Sequence, residues 1–228
     1  MGLPFNRLLP ALASLALLQL SACALAGEDA VVIPPPAQDL AEPGGSATAV
    51  FAGGCFWGVQ GVFQHLRGVR QVLAGYAGGS ANTAQYETVS GGDTGHAEAV
   101  QITYDPQQVS YGTLLQVFFS VAHDPTQLDR QGPDRGSQYR SAIFAHDDGQ
   151  KAVAQAYIRQ LDAAHVYPKA IATRLEPLAG FYRAEDYHQN YLTNHPGAGY
   201  IVVNDLPKVE HLQQLFGERY LKAPVLVP

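Results

Sequence analysis

The chain is poor in sulfur, in charge and in uninterrupted apolar sequence. Its 228 residues include two cysteines, one methionine and one tryptophan, and 15% are charged. Two cysteines cannot build a disulfide framework or supply the four thiolates of an all-cysteine zinc site. Neither an H-E-x-x-H pair nor a Cys/His cluster occurs, so metal chemistry has no visible foothold, and no phosphate loop is present. Basic residues are not in excess: 14 Lys and Arg against 20 Asp and Glu give a net charge of −6, which argues against a nucleic-acid partner. The N-terminal apolar run, residues 8–20, is 13 residues long, short of the roughly 20 that a spanning helix needs. What the chain does have is 46% hydrophobic residues, enough to bury a core, and a length that fits one domain with an appendage. The remaining question is what each cysteine is for.

Residues 1–7 carry one positive charge and no acid, and the apolar run follows, so residues 1–22 have the layout of a signal peptide. Leu20-Ser21-Ala22-Cys23 resembles the bacterial lipobox, in which cleavage exposes the cysteine and acyl chains anchor it to a membrane. Cys23 is accordingly expected as a lipidation site, with the protein exported and held in the bacterial envelope facing the periplasm. A rival cut after Ala24-Leu25-Ala26 would release a soluble periplasmic protein instead. Residues 23–46 are rich in breakers (Pro34-Pro35-Pro36, Pro43, Gly44-Gly45) and are expected to form a disordered tether. The folded body is expected over residues 47–222, with a flexible tail over 223–228.

The second cysteine lies where a strand meets a helix. Residues 47–51 are apolar, Gly53-Gly54 follow, and from Phe56 onward apolar residues recur at Val59, Val62, Phe63 and Leu66 with helical spacing. Cys55 then stands at the first turn of that helix, where free backbone N–H groups and the dipole favour an anion and would depress the thiol pKa. The plain alternative is a small apolar filler; two preceding glycines, which let another molecule approach the backbone, favour a nucleophile.

The pattern continues with a strand at 69–76, a long loop over 77–95, a strand at Ala97–Tyr104, a helix at 111–122 and a strand at Ser141–Ala145. Read in order this is β-α-β-β-α-β, which predicts an α+β fold of the ferredoxin-like split β-α-β kind, a two-layer sandwich. Extensions follow: a helix at 149–164, a strand at 172–176 and a helical stretch near 184–192. In the strand Ala97–Tyr104, Glu98 shares its parity with Val100, Ile102 and Tyr104. It therefore either points inward, where burial would raise its pKa and leave a neutral proton donor, or reaches solvent at the strand end. Parity alone leaves both open.

Gly54-Cys55-Phe56-Trp57-Gly58 resembles the signature of the A-class peptide methionine sulfoxide reductases. The resemblance extends in order through Gly75-Tyr76-Ala77-Gly78-Gly79, Tyr86-Glu87, Gly95-His96-Ala97-Glu98-Ala99-Val100, Tyr104-Asp105-Pro106 and His123-Asp124-Pro125-Thr126, then Gly132-Pro133-Asp134-Arg135-Gly136, Gln138-Tyr139-Arg140-Ser141 and Tyr187-His188-Gln189. It implies that Cys55 attacks a sulfoxide sulfur, that Glu98 protonates the oxygen, and that Tyr86, Tyr139 and Asp134 complete the polar cluster. Phe56 and Trp57 would hold the substrate methyl group, and the S epimer would be taken. Read without the resemblance, Tyr86 and Tyr139 are first of all packing residues and Asp134 a turn former.

Many members of that family recycle the oxidised cysteine through further cysteines, and here the loop carries Ser90 and the tail none. The resemblance therefore implies a one-cysteine, cofactor-free enzyme that acts as a monomer on free or protein-bound methionine sulfoxide. Its sulfenic acid would be reduced by an external thiol such as a thioredoxin-like or glutaredoxin-like protein. Three rivals stand beside this reading. They are a cysteine hydrolase using His96, His188 or His195 as base, a one-cysteine thiol peroxidase, and a non-catalytic lipoprotein.

Overall fold

The computed structural model describes residues 1–2, 29–42 and 44–228. The expected signal peptide and Cys23 lie outside the described residues. Four long strands form where short runs of small, β-branched and aromatic residues can bury both faces: β1 (Ala47–Gly53), β2 (Val69–Ala77), β3 (Ala97–Tyr104) and, shorter, β6 (Ser141–Ala145). Two-residue strands β4 (Arg130–Gln131) and β5 (Asp134–Arg135) form a separate ribbon. The main sheet has six strands in the order β7-β6-β1-β3-β2-β8, its edges being β7 (Arg174–Pro177) and β8 (Phe181–Arg183). All pairings are antiparallel except β6 with β7, so the sheet is mixed.

Helix α1 (Phe56–Gln64) crosses from β1 to β2, and α3 (Tyr111–Val117), continued by a π turn over Phe118–Ala122, leads away from β3. The long loop before β3 is not structureless, because it contains the short helix α2 (Tyr86–Val89). Helix α4 (Asp148–Ala163) is capped by Asp147, whose side chain accepts from the Gln150 N–H. Helices α5 (Tyr191–Asn194) and α6 (Leu206–Leu215) complete the fold. The main core lies between the helices and one face of the sheet, where Phe51 packs on Phe63, Tyr111 and Phe118 with ring centroids 4.9–6.1 Å apart. The opposite face is lined by small residues, Ala52, Ala77, Ala97, Ala99 and Ala142 with Phe144. Because both faces are covered, strand β3 reads as a nearly continuous buried run rather than a clean alternation.

Three expectations change. The helical stretch near 184–192 is broken: β8 precedes it, a 3-10 turn covers Asp186–His188, and Asn190 adopts φ +57°, which ends one element before α5 begins. The described part of the tether is seated on the domain. Ile33 is buried, Val31 exchanges backbone and side-chain hydrogen bonds with Ser120, Tyr157 donates to the Pro34 carbonyl, and the Gly112 N–H donates to Asp39. The proline run explains this, since a segment already restricted to extended backbone loses little entropy on docking. The tail is also held, with Val225 N–H donating to the Gln64 carbonyl and Val227 bonded through both backbone groups to the Asn190 side chain. Among the described residues, no helix is long and apolar enough to cross a membrane.

Candidate active site

The site is built at the junction of β1 and α1. Gly54 adopts φ +86°, and a Cβ there would lie 2.4 Å from the Cβ of Gln131 in β4. Only glycine meets both demands, so the chain turns sharply and delivers Cys55 to the N-cap position of α1. Cys55 is nearly buried, at 9% exposure, and lines a cavity of about 200 Å³ with Phe56, Trp57, Tyr86, Glu98, Asp134, Tyr139 and Tyr200. Every residue that the sequence motifs nominated in the folded body is therefore in one place, drawn from α1, α2, β3, β5 and the turn before β6.

Glu98 points inward. It is 4% exposed and its Oε2 accepts the Phe56 N–H at 3.0 Å, so one of the first-turn donors of α1 is satisfied by this carboxyl. Burial raises its pKa to about 8, with Asp134 and Asp205 adding to the shift and the Phe56 N–H opposing it. At neutral pH the group is thus mostly the neutral acid, a proton donor. Burial likewise raises the Tyr86 and Tyr139 hydroxyls, so both stay protonated as hydrogen-bond donors. Asp134 accepts a hydrogen bond from the Tyr200 hydroxyl, and burial outweighs that bond, so its pKa is raised.

The thiol reverses the expectation set by its helix. Burial first, then the carboxyl groups of Glu98, Asp205 and Asp134, push Cys55 well above the ordinary thiol range, and the Trp57 N–H opposes them only in part. A helix N-terminus contributes a partial positive charge, whereas removal from water and three acidic neighbours act on a full negative one. Cys55 therefore rests as the thiol.

The apolar wall is fixed by stacking. Trp57 lies flat on Tyr191, with centroids 3.8 Å apart and planes at 10°, and its indole N–H donates to His188 Nδ1 at 3.1 Å. That bond requires an unprotonated Nδ1, in keeping with the pKa of His188, which burial lowers. Phe56 is buried beside Tyr76 and His188. Tyr76 in turn donates to Glu185 at 2.8 Å, and Glu185 accepts the Tyr86 N–H, which ties α2 to the sheet edge.

No histidine lines the cavity. His188 serves Trp57, His96 bonds the Gly79 and Ser80 backbone, and His195 lies against the Tyr191 carbonyl. A Cys–His hydrolase dyad therefore has no geometry to support it among the described residues. No group of three or more metal-binding side chains occurs there either. Sequence reasoning missed Tyr200 and Asp205, which follow the last quoted motif; in a chain with 12 tyrosines no spacing distinguishes Tyr200.

Comparison with known proteins places these features in a family. The family model described as peptide methionine sulfoxide reductase matches residues 47–220. The chain is 62% identical over 183 residues to the peptide methionine sulfoxide reductase MsrA 2 of Mesorhizobium japonicum, covering 80% of this chain and 94% of that protein. It is 52% identical over 196 residues to the MsrA 2 of Synechocystis, covering 84% and 91%. Among solved structures it is similar to Mxr1 of Saccharomyces cerevisiae in its reduced form, with TM-score 0.60, 33% identity and coverage of 74% and 96%. Methionine sulfoxide reductase A of Corynebacterium diphtheriae superposes with TM-score 0.58 at 33% identity, covering 79% and 92%.

Proposed function

The chain belongs to the peptide methionine sulfoxide reductase family and is such a reductase, and from that premise we propose that it reduces methionine S-sulfoxide through Cys55 with Glu98 as the acid. The observation that carries this reading is the convergence of a thiol, a neutral buried carboxyl group and two protonated tyrosines on one small cavity beside Phe56 and Trp57. A sulfoxide sulfur is a poor electrophile while its oxygen keeps its negative character. Donors at the oxygen are therefore needed as the sulfur is attacked. Glu98 passes its proton to that oxygen, Tyr86 and Tyr139 donate hydrogen bonds to it, and Asp134 is held in place by Tyr200.

The atoms balance without a cofactor. The substrate sulfur–oxygen bond breaks and a sulfur–oxygen bond forms at Cys55, with two electrons passing from Cys55 to the substrate sulfur. The products are methionine and a Cys55 sulfenic acid. Two protons enter, one on the thiol and one on Glu98, and two remain, one on the sulfenic acid and one back on Glu98. Phe56 and Trp57 receive the methyl group, and one methyl slot facing one oxygen site selects a single epimer.

Cys55 is the free cysteine of the described residues, and the sequence has one other, Cys23. With Cys23 acylated or removed, no internal disulfide forms. An external thiol then attacks the sulfenic acid with loss of water, and a second thiol releases Cys55. A thioredoxin-like or glutaredoxin-like protein suits that role. In this reading the enzyme is a monomeric lipoprotein of the bacterial envelope, anchored through Cys23, that repairs oxidised envelope proteins. The fold is read as ferredoxin-like, the order β6-β1-β3-β2 with its antiparallel pairs supporting that plan and β7 and β8 extending it.

The test is a reduction assay on the S and R epimers with wild type and Cys55→Ser, using several thiol donors. Turnover of the S epimer alone, abolished by Cys55→Ser, is expected. Faster oxidation of Cys55 by hydrogen peroxide than by methionine sulfoxide would instead favour a thiol peroxidase.

A further inference from the structure

Against the first turn of the helix that Cys55 caps lies an ion pair that the reaction as described does not use. Asp205 closes a π turn, Ile201–Asp205, and stands at the N-cap position of α6. Aspartate is favoured there because its carboxylate can accept a free N–H of its own helix, yet the Asp205 side chain makes no such cap. It reaches across to α1 instead. A Cβ built on Gly58 would lie 2.2 Å from Asp205 Oδ1 and 2.7 Å from its Cγ, so the carboxylate fills the space that a side chain at position 58 would take. Gly58 is in the first turn of the helix that Cys55 caps. Lys208 Nζ stands 3.8 Å from the same Oδ1, and both side chains are buried, at 6% and 0% exposure for Lys208 and Asp205.

A buried ion pair is a poor device for stability, because its desolvation offsets most of the attraction, and an apolar pair of similar size is often as good. Its value here lies in its place. We propose that Asp205, braced by Lys208, is a positioning residue for the sulfur chemistry: its carboxylate, lodged against the first turn of α1, holds Cys55 as the thiol at neutral pH. This guards the nucleophile against adventitious oxidants and alkylating agents, which consume thiolates. The inference rests on Cys55 being the nucleophile.

The groups facing Cys55 act in the same sense or are neutral. Glu98 from β3 and Asp134 from β5 raise its pKa alongside Asp205, while Tyr86, Tyr139 and Tyr200 are protonated hydroxyls. His188, packed on Phe56 and Trp57, is held neutral. Lys208 is the buried cation of this group, and it also acts on Asp134. Among the described residues Asp205 is thus the acid acting on the sulfur that lies outside the cavity lining, so its replacement removes no side chain that would meet the substrate, although its charge also raises Glu98.

The test measures the pH dependence of iodoacetamide alkylation at Cys55 in the full chain, followed on the Cys55 peptide by mass spectrometry. Alkylation reports the thiol whether or not the protein reduces a sulfoxide, so failure here and failure of the proposed function are separable. Asp205→Asn keeps the shape against Gly58 and removes the charge. The midpoint should fall, and alkylation near pH 7 should quicken several-fold, since about one unit of pKa is tenfold in thiolate. Asp205→Asn with Lys208→Met leaves no lone buried charge and should fold even where the single variant does not; its midpoint should fall by less. Leu212→Ala loosens the same helix from its buried face without altering charge and should leave the midpoint in place. An unchanged midpoint in the folded Asp205 variants, or an equal shift in Leu212→Ala, overturns the proposal.

Discussion

At the scale of single residues, the site trades stability for a proton. Glu98 is buried without a basic partner and its pKa rises from 4.5 to about 8. The sign of the linkage follows: folded Glu98 binds its proton more tightly than the unfolded chain does, so its contribution is fully present below about pH 4.5 and is lost as pH rises toward 8. Glu98→Gln is expected to lower kcat/KM by about 10²–10⁴, the usual worth of a general acid. The same variant should gain thermal stability over wild type progressively between pH 5 and 8, measured as the difference in Tm across that range. A constant difference would show that the carboxyl is already ionised in the fold. This residue also shows how far a sequence can be read. Parity placed Glu98 on the face of Val100 and Ile102 and left its burial open. What decided it was the Phe56 N–H, a contact between α1 and β3 that no local pattern contains. The thiol went the other way, because a helix N-terminus is visible in sequence and the burial and three carboxyl groups that outweigh it are not.

At the scale of elements, the β1–α1 junction carries the most information per residue. Gly53-Gly54 was legible as a turn because glycine punctuates an apolar strand before a helical period. The reason for it became clear only with β4 in place, as Gln131 fills the space beside Gly54. Gly54→Ala must strain φ +86° and displace Gln131, and is expected to cost about 1–3 kcal/mol, read in a denaturant titration. Activity should fall with it, because the turn aims Cys55. The stretch 184–192 was the least legible element. Its apolar spacing suits a helix, but the Gln189 side chain bonds the Ala74 backbone through both N–H and carbonyl, and Asn190 turns left-handed against α1. Those are tertiary contacts overriding local preference.

At the scale of the whole molecule, the N-terminal segment changes from a spacer to part of the body. Composition alone reads 23–46 as a loose tether, yet Ile33 joins the main core and residues 31–42 bond to α3, α4 and β3. Ile33→Ala should therefore destabilise the domain by about 2 kcal/mol, the low end for a buried isoleucine; a free tether would show no change. If Cys23 carries the anchor, six Cα steps separate it from Asp29, a reach on the order of 20 Å. The catalytic domain would then sit close to the membrane surface. Metabolic labelling with a radiolabelled fatty acid, lost on Cys23→Ser, is the expected result for that anchor.

In the proposed reaction Cys55 is the sole redox centre and stops at a sulfenic acid without outside help. A single-turnover experiment on the reduced mature protein, mixed with methionine S-sulfoxide and no thiol donor, tests it most directly. One methionine per chain and a gain of one oxygen in intact mass, located on Cys55 and absent from Cys55→Ser, are expected. A loss of two hydrogens, or methionine formed by Cys55→Ser, would contradict it.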